Sequence, residues 1–395
     1  MDNYKPLGIY VHIPFCKSKC EYCDFFSVGG PKQKKTTQDY VSAVNRHIAE
    51  AAEHAGGYEV DTVYFGGGTP SYFGDDGLRQ ILAELDKRFV VRRDAEITLE
   101  ANPDSIKEHA LERLRRSGFN RISIGIQTNN DEQLKALGRP HTFAQAKEAV
   151  KAARNAGFEN LSVDLIYGLP NQTRDQWAVA LQDVIQLNPD HISCYGLRVE
   201  EGTPLYDYKD CVNLPDDDAQ ADMYLYTVET LENFGWHQYE ISNFARPGFV
   251  SRHNMKYWTG GEYIGFGPSA ASDFGGKRYT YQRSLHGYVE GIFNGTALLS
   301  ECESIPLRER AGEYLMLRLR TVLGVEAGEY SRMFRMDFAP LEKIFLKLRQ
   351  HGYAVKDGKR WHLTPTGFLV SNQIILALQE AQHDSVNVWV DQSTL

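Results

Sequence analysis

The sequence has little cysteine: six residues in 395, too few for the disulfide framework of a small secreted domain. It contains no apolar run of the roughly 18 residues that a membrane-spanning helix needs. Met1 to Pro6 has neither the charged nor the apolar part of a secretory leader. These gaps predict a cytoplasmic protein. Positive charge is not in excess either. Lys and Arg number 43 against 52 Asp and Glu, a net charge of −9, which leaves no electrostatic footprint for a polyanion and argues against nucleic acid as a partner. With 42% hydrophobic, 12% aromatic and 24% charged residues the chain is not disordered, collagen-like or coiled coil. At roughly 150 residues per domain its length allows two to three domains.

What is present begins with a rhythm. Gly8 to Pro14 reads as a strand, rich in β-branched and aromatic residues. Strand patterns recur at Asp61 to Phe65, Glu96 to Glu100, Arg121 to Ile126, Ser162 to Ile166 and His191 to Leu197, with helix-patterned segments between them. Parallel neighbours need crossovers of this length. The expected fold is therefore α/β, and six units over about 190 residues fit a partial barrel better than the closed eight-unit form of about 250. Residues 1–205 are assigned to this barrel. Residues 206–300 are expected as an aromatic-rich extension, its part from Trp236 to Tyr281 as strands and loops packed beside the barrel. Residues 301–395 read as a helical, winged-helix-like domain whose hairpin, Tyr353 to Leu363, turns at Asp357-Gly358. Residues 340–380 hold six Lys or Arg against three Asp or Glu, a mild excess read as a solvated face.

Three of the six cysteines fall within eight positions, Cys16, Cys20 and Cys23, directly after the first strand. A structural zinc usually takes four ligands from paired knuckles, and Cys194, Cys211 and Cys302 stand alone, so zinc is the weaker reading. Iron–sulfur clusters are held by thiolates. A four-iron cluster on three cysteines keeps one iron open, which is what chelation of S-adenosylmethionine by its amino and carboxylate groups requires.

The C-x-x-x-C-x-x-C loop, the turn Gly66-Gly67-Gly68-Thr69-Pro70 and the partial barrel resemble the radical SAM superfamily. Tyr10-Val-His-Ile-Pro-Phe-Cys16, Leu99-Glu100-Ala-Asn-Pro103, Arg121 to Gln127, Leu137-Gly-Arg139-Pro-His141 and Val163-Asp164 to Pro170 are similar to its HemN-like branch. The resemblance implies a [4Fe-4S] cluster on Cys16, Cys20 and Cys23, and contacts of Tyr10, Gly67 and Glu100 to the cluster-bound S-adenosylmethionine. It implies that Gly68, Thr69, Gln127, Arg139 and Asp164 line a second S-adenosylmethionine site or its adenosine part.

Two departures separate the chain from the oxygen-independent coproporphyrinogen III dehydrogenases of that branch. Phe25 stands where their pattern carries a further cysteine, and the lead before Cys16 is short, so the segment that helps enclose the porphyrinogen is expected to be largely missing. His253-Asn254-Met255-Lys256-Tyr257-Trp258 instead resembles the H-N-x-x-Y-W signature of the radical SAM haem chaperones. That resemblance implies haem as a third ligand, with His253 as its axial ligand and Tyr257 and Trp258 as an aromatic wall. The implied partners are apo-haemoproteins, respiratory cytochromes among them, and a second copy of the chain. Coproporphyrinogen III decarboxylation, or another radical step on a tetrapyrrole, is the alternative activity.

Overall fold

A computed structural model describes residues 4–385; the outer ends of the first and third expected domains, residues 1–3 and 386–395, lie outside the described residues. Six strands form the parallel heart of the fold: β1 (Lys5–Ile13), β2 (Tyr58–Gly67), β3 (Val91–Ala101), β4 (Arg121–Gln127), β5 (Asn160–Tyr167) and β6 (His191–Gly196). Each pairs in parallel with the next. The crossovers carry α1 (Lys34–Ala52), α2 (Asp75–Arg88), α3 (Glu108–Arg116), α4 (Phe143–Asn155) and α5 (Arg174–Ile185). A sheet covered on both faces buries its strands almost completely, and all seven residues of β4 are buried. Helix starts are set locally: Thr142 with Gln145 and Thr173 with Gln176 form reciprocal capping boxes at α4 and α5.

The region after α6 (Asp217–Asn233) departs from the expectation that it packs beside the barrel. Its strands extend the same sheet at both edges. Strands β7 (His237–Glu240) and β8 (Asn243–Ala245) form a hairpin, with β8 antiparallel to β6 in the register Asn243–Ser193. Strand β9 (Tyr263–Phe266) pairs in parallel with β1, Tyr10 opposite Gly265. Strands β10 (Ala271–Phe274), β11 (Lys277–Tyr281) and β12 (Leu299–Glu303) continue antiparallel beyond it. The twelve strands lie in the order β12-β11-β10-β9-β1-β2-β3-β4-β5-β6-β8-β7. An open sheet leaves unpaired N–H and C=O groups at its edges, and these additions satisfy them. The same region also holds a helix, α7 (Arg252–Thr259), where strands and loops were expected.

Beyond α8 (Leu285–Asn294), helices α9 (Leu307–Arg318), α10 (Ala327–Phe334) and α11 (Ala339–Gln350) surround a small sheet. In it β13 (Val325–Glu326) and β14 (Ala354–Asp357) both pair with β15 (Arg360–Leu363). Helix, strand, two helices and a hairpin wing is the winged-helix-like order expected. The stack Phe338–Phe345–Trp361 fills its core. A short helix, Pro365–Leu369, and α12 (Ser371–Gln382) then lead back toward the barrel. No helix among the described residues is long and apolar enough to cross a membrane.

Candidate functional site

The carboxyl ends of β1 to β6 open into a cavity of about 840 Å³, within the usual range for cofactor pockets. In parallel α/β folds this is the end where chemistry is built. Cys16, Cys20 and Cys23 all line it. They sit on a loop whose start, Phe15–Cys16, pairs with Val28–Gly29 as a two-residue strand. The loop is tied to its surroundings by the Glu21 N–H on the Leu137 carbonyl, 3.1 Å, and turns on itself through the Cys23 N–H on the Cys20 carbonyl, 3.2 Å. Burial pushes the thiols of Cys16 and Cys23 up, Cys23 to about 11. Three thiols thus gather at one wall, beside the Arg139 guanidinium. The spacing is not that of a single ion: among the described residues no three His, Cys, Asp or Glu side chains are placed to hold one.

The glycine turn closes against that loop. The Gly68 and Thr69 N–H groups donate to the carbonyls of Ile13 and Phe15, both at 2.8 Å, and the Thr69 hydroxyl lies 3.5 Å from the Cys16 sulfur. A Cβ on Gly68 would come within 2.8 to 3.0 Å of Ile13 and Phe15 backbone atoms, so only glycine fits. Gly67, at φ 106°, donates its N–H to Glu100 Oε2 at 3.1 Å, while Tyr64 donates to Oε1 at 2.8 Å. Burial still dominates at Glu100 and lifts its carboxyl to about 7.

The lumen side of the barrel is polar. Ser123 donates to both carboxylate oxygens of Asp164, at 3.1 and 3.0 Å, and burial holds that carboxyl above the ordinary range. Arg139 donates to Asn102 Oδ1 at 2.7 Å and to the Gly125 carbonyl at 2.8 Å, and lies 3.6 Å from the Cys20 sulfur. Its Nε is buried without a partner, as are Nε and Nη1 of Arg121. Gln127, the last residue of β4, takes φ 72°, an uncommon conformation for a non-glycine residue. Such a cost is typical of side chains aimed at a ligand.

The chain matches the radical SAM superfamily over residues 10–184. The Escherichia coli K12 protein named heme chaperone HemW is 34% identical over 380 residues, covering 95% of this chain and 98% of the relative. Its Lactococcus lactis namesake is 33% identical over 377 residues, covering 94% and 96%. The chain belongs to the HemW family of the radical SAM superfamily. Among solved structures, the coproporphyrinogen III oxidase HemN of E. coli, titled a radical SAM enzyme, aligns with a TM-score of 0.83 at 26% identity over 95% of this chain and 90% of that one. Membership of the superfamily implies a [4Fe-4S] cluster and S-adenosylmethionine, and the residues present fit both. The donor set is three soft thiols on one cavity wall, and buried guanidinium nitrogens with no partner face the same space.

Of the residues singled out in the sequence, Cys16, Cys20, Cys23, Gly67, Gly68, Thr69, Glu100, Gln127, Arg139, Asp164 and Trp258 line this cavity. Tyr10 does not belong to its wall: its hydroxyl lies 3.1 Å from His12 Nδ1 and its ring packs beside Tyr64.

The H-N-x-x-Y-W string forms α7, and the helix divides it. The Glu96 carboxylate accepts the N–H groups of Arg252 and His253, both at 3.0 Å, anchoring the N-terminus. His253 and Tyr257, four apart, face inward, while Asn254 and Trp258 face the cavity. His253 is fully buried. Its Nδ1 lies 2.9 Å from the Thr62 hydroxyl, its Nε2 lies 2.8 Å from the Tyr257 hydroxyl, and its ring stacks on Tyr64. Burial lowers its pKa to about 3. This placement departs from the expectation of a histidine presenting a nitrogen to haem iron, because both nitrogens are engaged and neither Tyr257 nor His253 lines the cavity.

Several lining residues went unread in the sequence. Arg121 and Ser123 occupy alternate positions of β4, as Ser193 and Tyr195 do on β6. Polar residues at every second position of an otherwise apolar strand were the available signal. Arg320, Phe368 and Leu369, contributed by the winged-helix-like module and its return, carry no such local signal.

Proposed function

We propose that this chain is a haem chaperone that holds a [4Fe-4S] cluster on Cys16, Cys20 and Cys23, binds S-adenosylmethionine beside it, and passes haem to apo-haemoproteins such as respiratory cytochromes. The supporting observation is the make-up of one cavity. Its wall carries three thiols and a glycine turn together with Trp258 and the exposed apolar side chains of Phe25, Tyr195 and Leu369. Exposed apolar groups bordering a cavity mark a ligand surface.

In this reading the Glu100 carboxylate, oriented by Tyr64 and Gly67, takes the cofactor's ammonium or ribose hydroxyls. Tyr10 supports Tyr64 from behind. Arg139 forks onto a carboxylate, while Gln127, Asp164, Gly68 and Thr69 line the adenosine part or a second cofactor site. A cluster held by Cys16, Cys20 and Cys23 would supply an electron for reductive chemistry at the sulfonium of S-adenosylmethionine. Trp258 offers a flat wall to the macrocycle. His253 positions α7 through Thr62 and Tyr257, and it ligates iron only after those two hydrogen bonds break. The proposal includes action in the cytoplasm, a second copy of the chain as partner, and a division of labour among residues 1–205, 206–300 and 301–395.

The test is anaerobic reconstitution, haem titration of the wild type and His253→Ala, and transfer of haem to an apo-cytochrome. A wild type that takes up haem and releases it to the apo-protein supports the proposal. An unshifted Soret band in His253→Ala removes His253 as ligand. The second reading, coproporphyrinogen III decarboxylation, is favoured by the fold match to HemN. Formation of protoporphyrinogen IX from coproporphyrinogen III by the reconstituted protein would overturn the chaperone proposal.

A further inference from the structure

Two arginines of the cavity wall have no role in cluster or S-adenosylmethionine binding. Arg198 follows the end of β6 and Arg320 follows α9, so they come from chain segments more than a hundred residues apart, yet both line the same cavity. Several arginines elsewhere in the chain pair with carboxylates: Arg113 with Asp75, Arg154 with Asp190, Arg278 with Glu313, Arg360 with Glu329. Arg198 and Arg320 form no such pair among the described residues. The Arg320 guanidinium has one neutral partner, the side-chain oxygen of Asn372 at 2.9 Å. Burial and then the charge of Arg198 lower its proton affinity. Glu200 also lines the cavity, but it is exposed and pairs with neither.

Arg198 is exposed and Arg320 half-buried, so water screens their repulsion in the free protein and both guanidinium groups stay available to a ligand with two negative groups. Tyr195, Leu197, Leu369 and, from α7, Trp258 line the same cavity. A ligand that satisfies both features is flat, apolar and dicarboxylic.

We infer that Arg198 and Arg320 clamp the two propionate carboxylates of haem while its macrocycle lies against Trp258 and Leu369. This inference rests on the haem-binding reading above and names the side chains that orient the cargo. Guanidinium groups suit the task, since each offers a fork of N–H donors that matches a carboxylate. A clamp at the cavity rim also leaves the propionate edge nearest solvent, where a recipient protein would meet it.

The experiment compares haem with haem dimethyl ester, whose carboxylates are blocked, in one detergent-containing buffer. It uses the full-length reconstituted wild type, Arg198→Gln, Arg320→Gln, the double variant and Arg320→Lys, all normalised to iron-loaded chain. The wild type is expected to prefer haem over the ester, each Gln variant to lose about three- to tenfold in haem affinity, and ester affinity to stay level. The double variant should bind the two ligands equally, and Arg320→Lys should retain part of the preference. Equal wild-type affinity for haem and ester, or a preference that survives in the double variant, overturns the clamp while leaving haem binding intact. A wild type that binds neither ligand overturns the haem-binding reading and the clamp together.

Discussion

The guanidinium of Arg139 lies 3.6 Å from the sulfur of Cys20, and its second terminal nitrogen holds Asn102 and the Gly125 carbonyl. One side chain thereby joins the cysteine loop to the ends of β3 and β4. Asn102 in turn donates to the Thr69 hydroxyl at 3.2 Å, which faces Cys16. Replacing Arg139 with Gln leaves Asn102 Oδ1 and a buried carbonyl without donors. A loss of about 2–4 kcal/mol in stability is expected from such a broken buried network. Urea unfolding under anaerobic conditions measures it, and iron content per chain should fall in parallel.

Substituting Cys16, Cys20 or Cys23 with Ser is expected to reduce reconstituted iron and sulfide to background. Cys211→Ser and Cys302→Ser should load normally, because both side chains are exposed and away from the cavity. Iron and sulfide analysis with the absorbance of the anaerobic protein checks the contrast. Normal loading of a Cys20→Ser protein would sink the three-ligand assignment.

Gly68→Ala places a methyl against carbonyl oxygens of Ile13 and Phe15 that are themselves held by hydrogen bonds. Backbone of this kind yields only by moving the cysteine loop, at about 1–3 kcal/mol. Iron loading should drop and thermal unfolding begin earlier. The same change at Gly56, where an added Cβ meets nothing, should be silent in both measurements.

Glu100, with a carboxyl near 7, is partly protonated at neutral pH. An ionised carboxylate binds the cationic cofactor better than a neutral one, so S-adenosylmethionine affinity should rise as pH goes from 6 to 8. Glu100→Gln should bind about tenfold more weakly or worse, with no pH dependence across that range. Equilibrium dialysis at several pH values reads both.

Acid sensitivity has a separate origin. His47 is buried between the hydroxyls of Tyr288 and Tyr281, at 2.8 and 2.9 Å, and burial lowers its pKa to about 4. A histidine whose folded pKa is depressed contributes stability above its unfolded value near 6.5, and that contribution is lost as pH falls toward 4. Its share of the acid loss is roughly 3 kcal/mol. His12 and His141 are depressed to about 4 in the same direction. His47→Gln should therefore flatten the fall in stability between pH 6.5 and 4, as followed by urea midpoints. An unchanged slope would contradict this account.

The sequence by itself determined the βα rhythm, because strand and helix periods are local properties of the chain. The cysteine loop and the glycine turn were legible there too, as local motifs that resemble those of the radical SAM superfamily. Within α7, the start at Ser251 and the left-handed Gly260 are legible as helix signals in retrospect, yet the aromatic content of the segment read as strand. Tertiary structure alone decided three things. It placed β9 beside β1 and β8 beside β6, because the partner of an edge strand is chosen by shape and free backbone groups across long separations. It turned His253 inward and Trp258 outward, because a helix shows different faces to its surroundings only once it has docked. It brought Arg320 and Leu369 to the mouth of a barrel built more than a hundred residues earlier in the chain, because burial of the return from the winged-helix-like module is settled by packing, which no local pattern records.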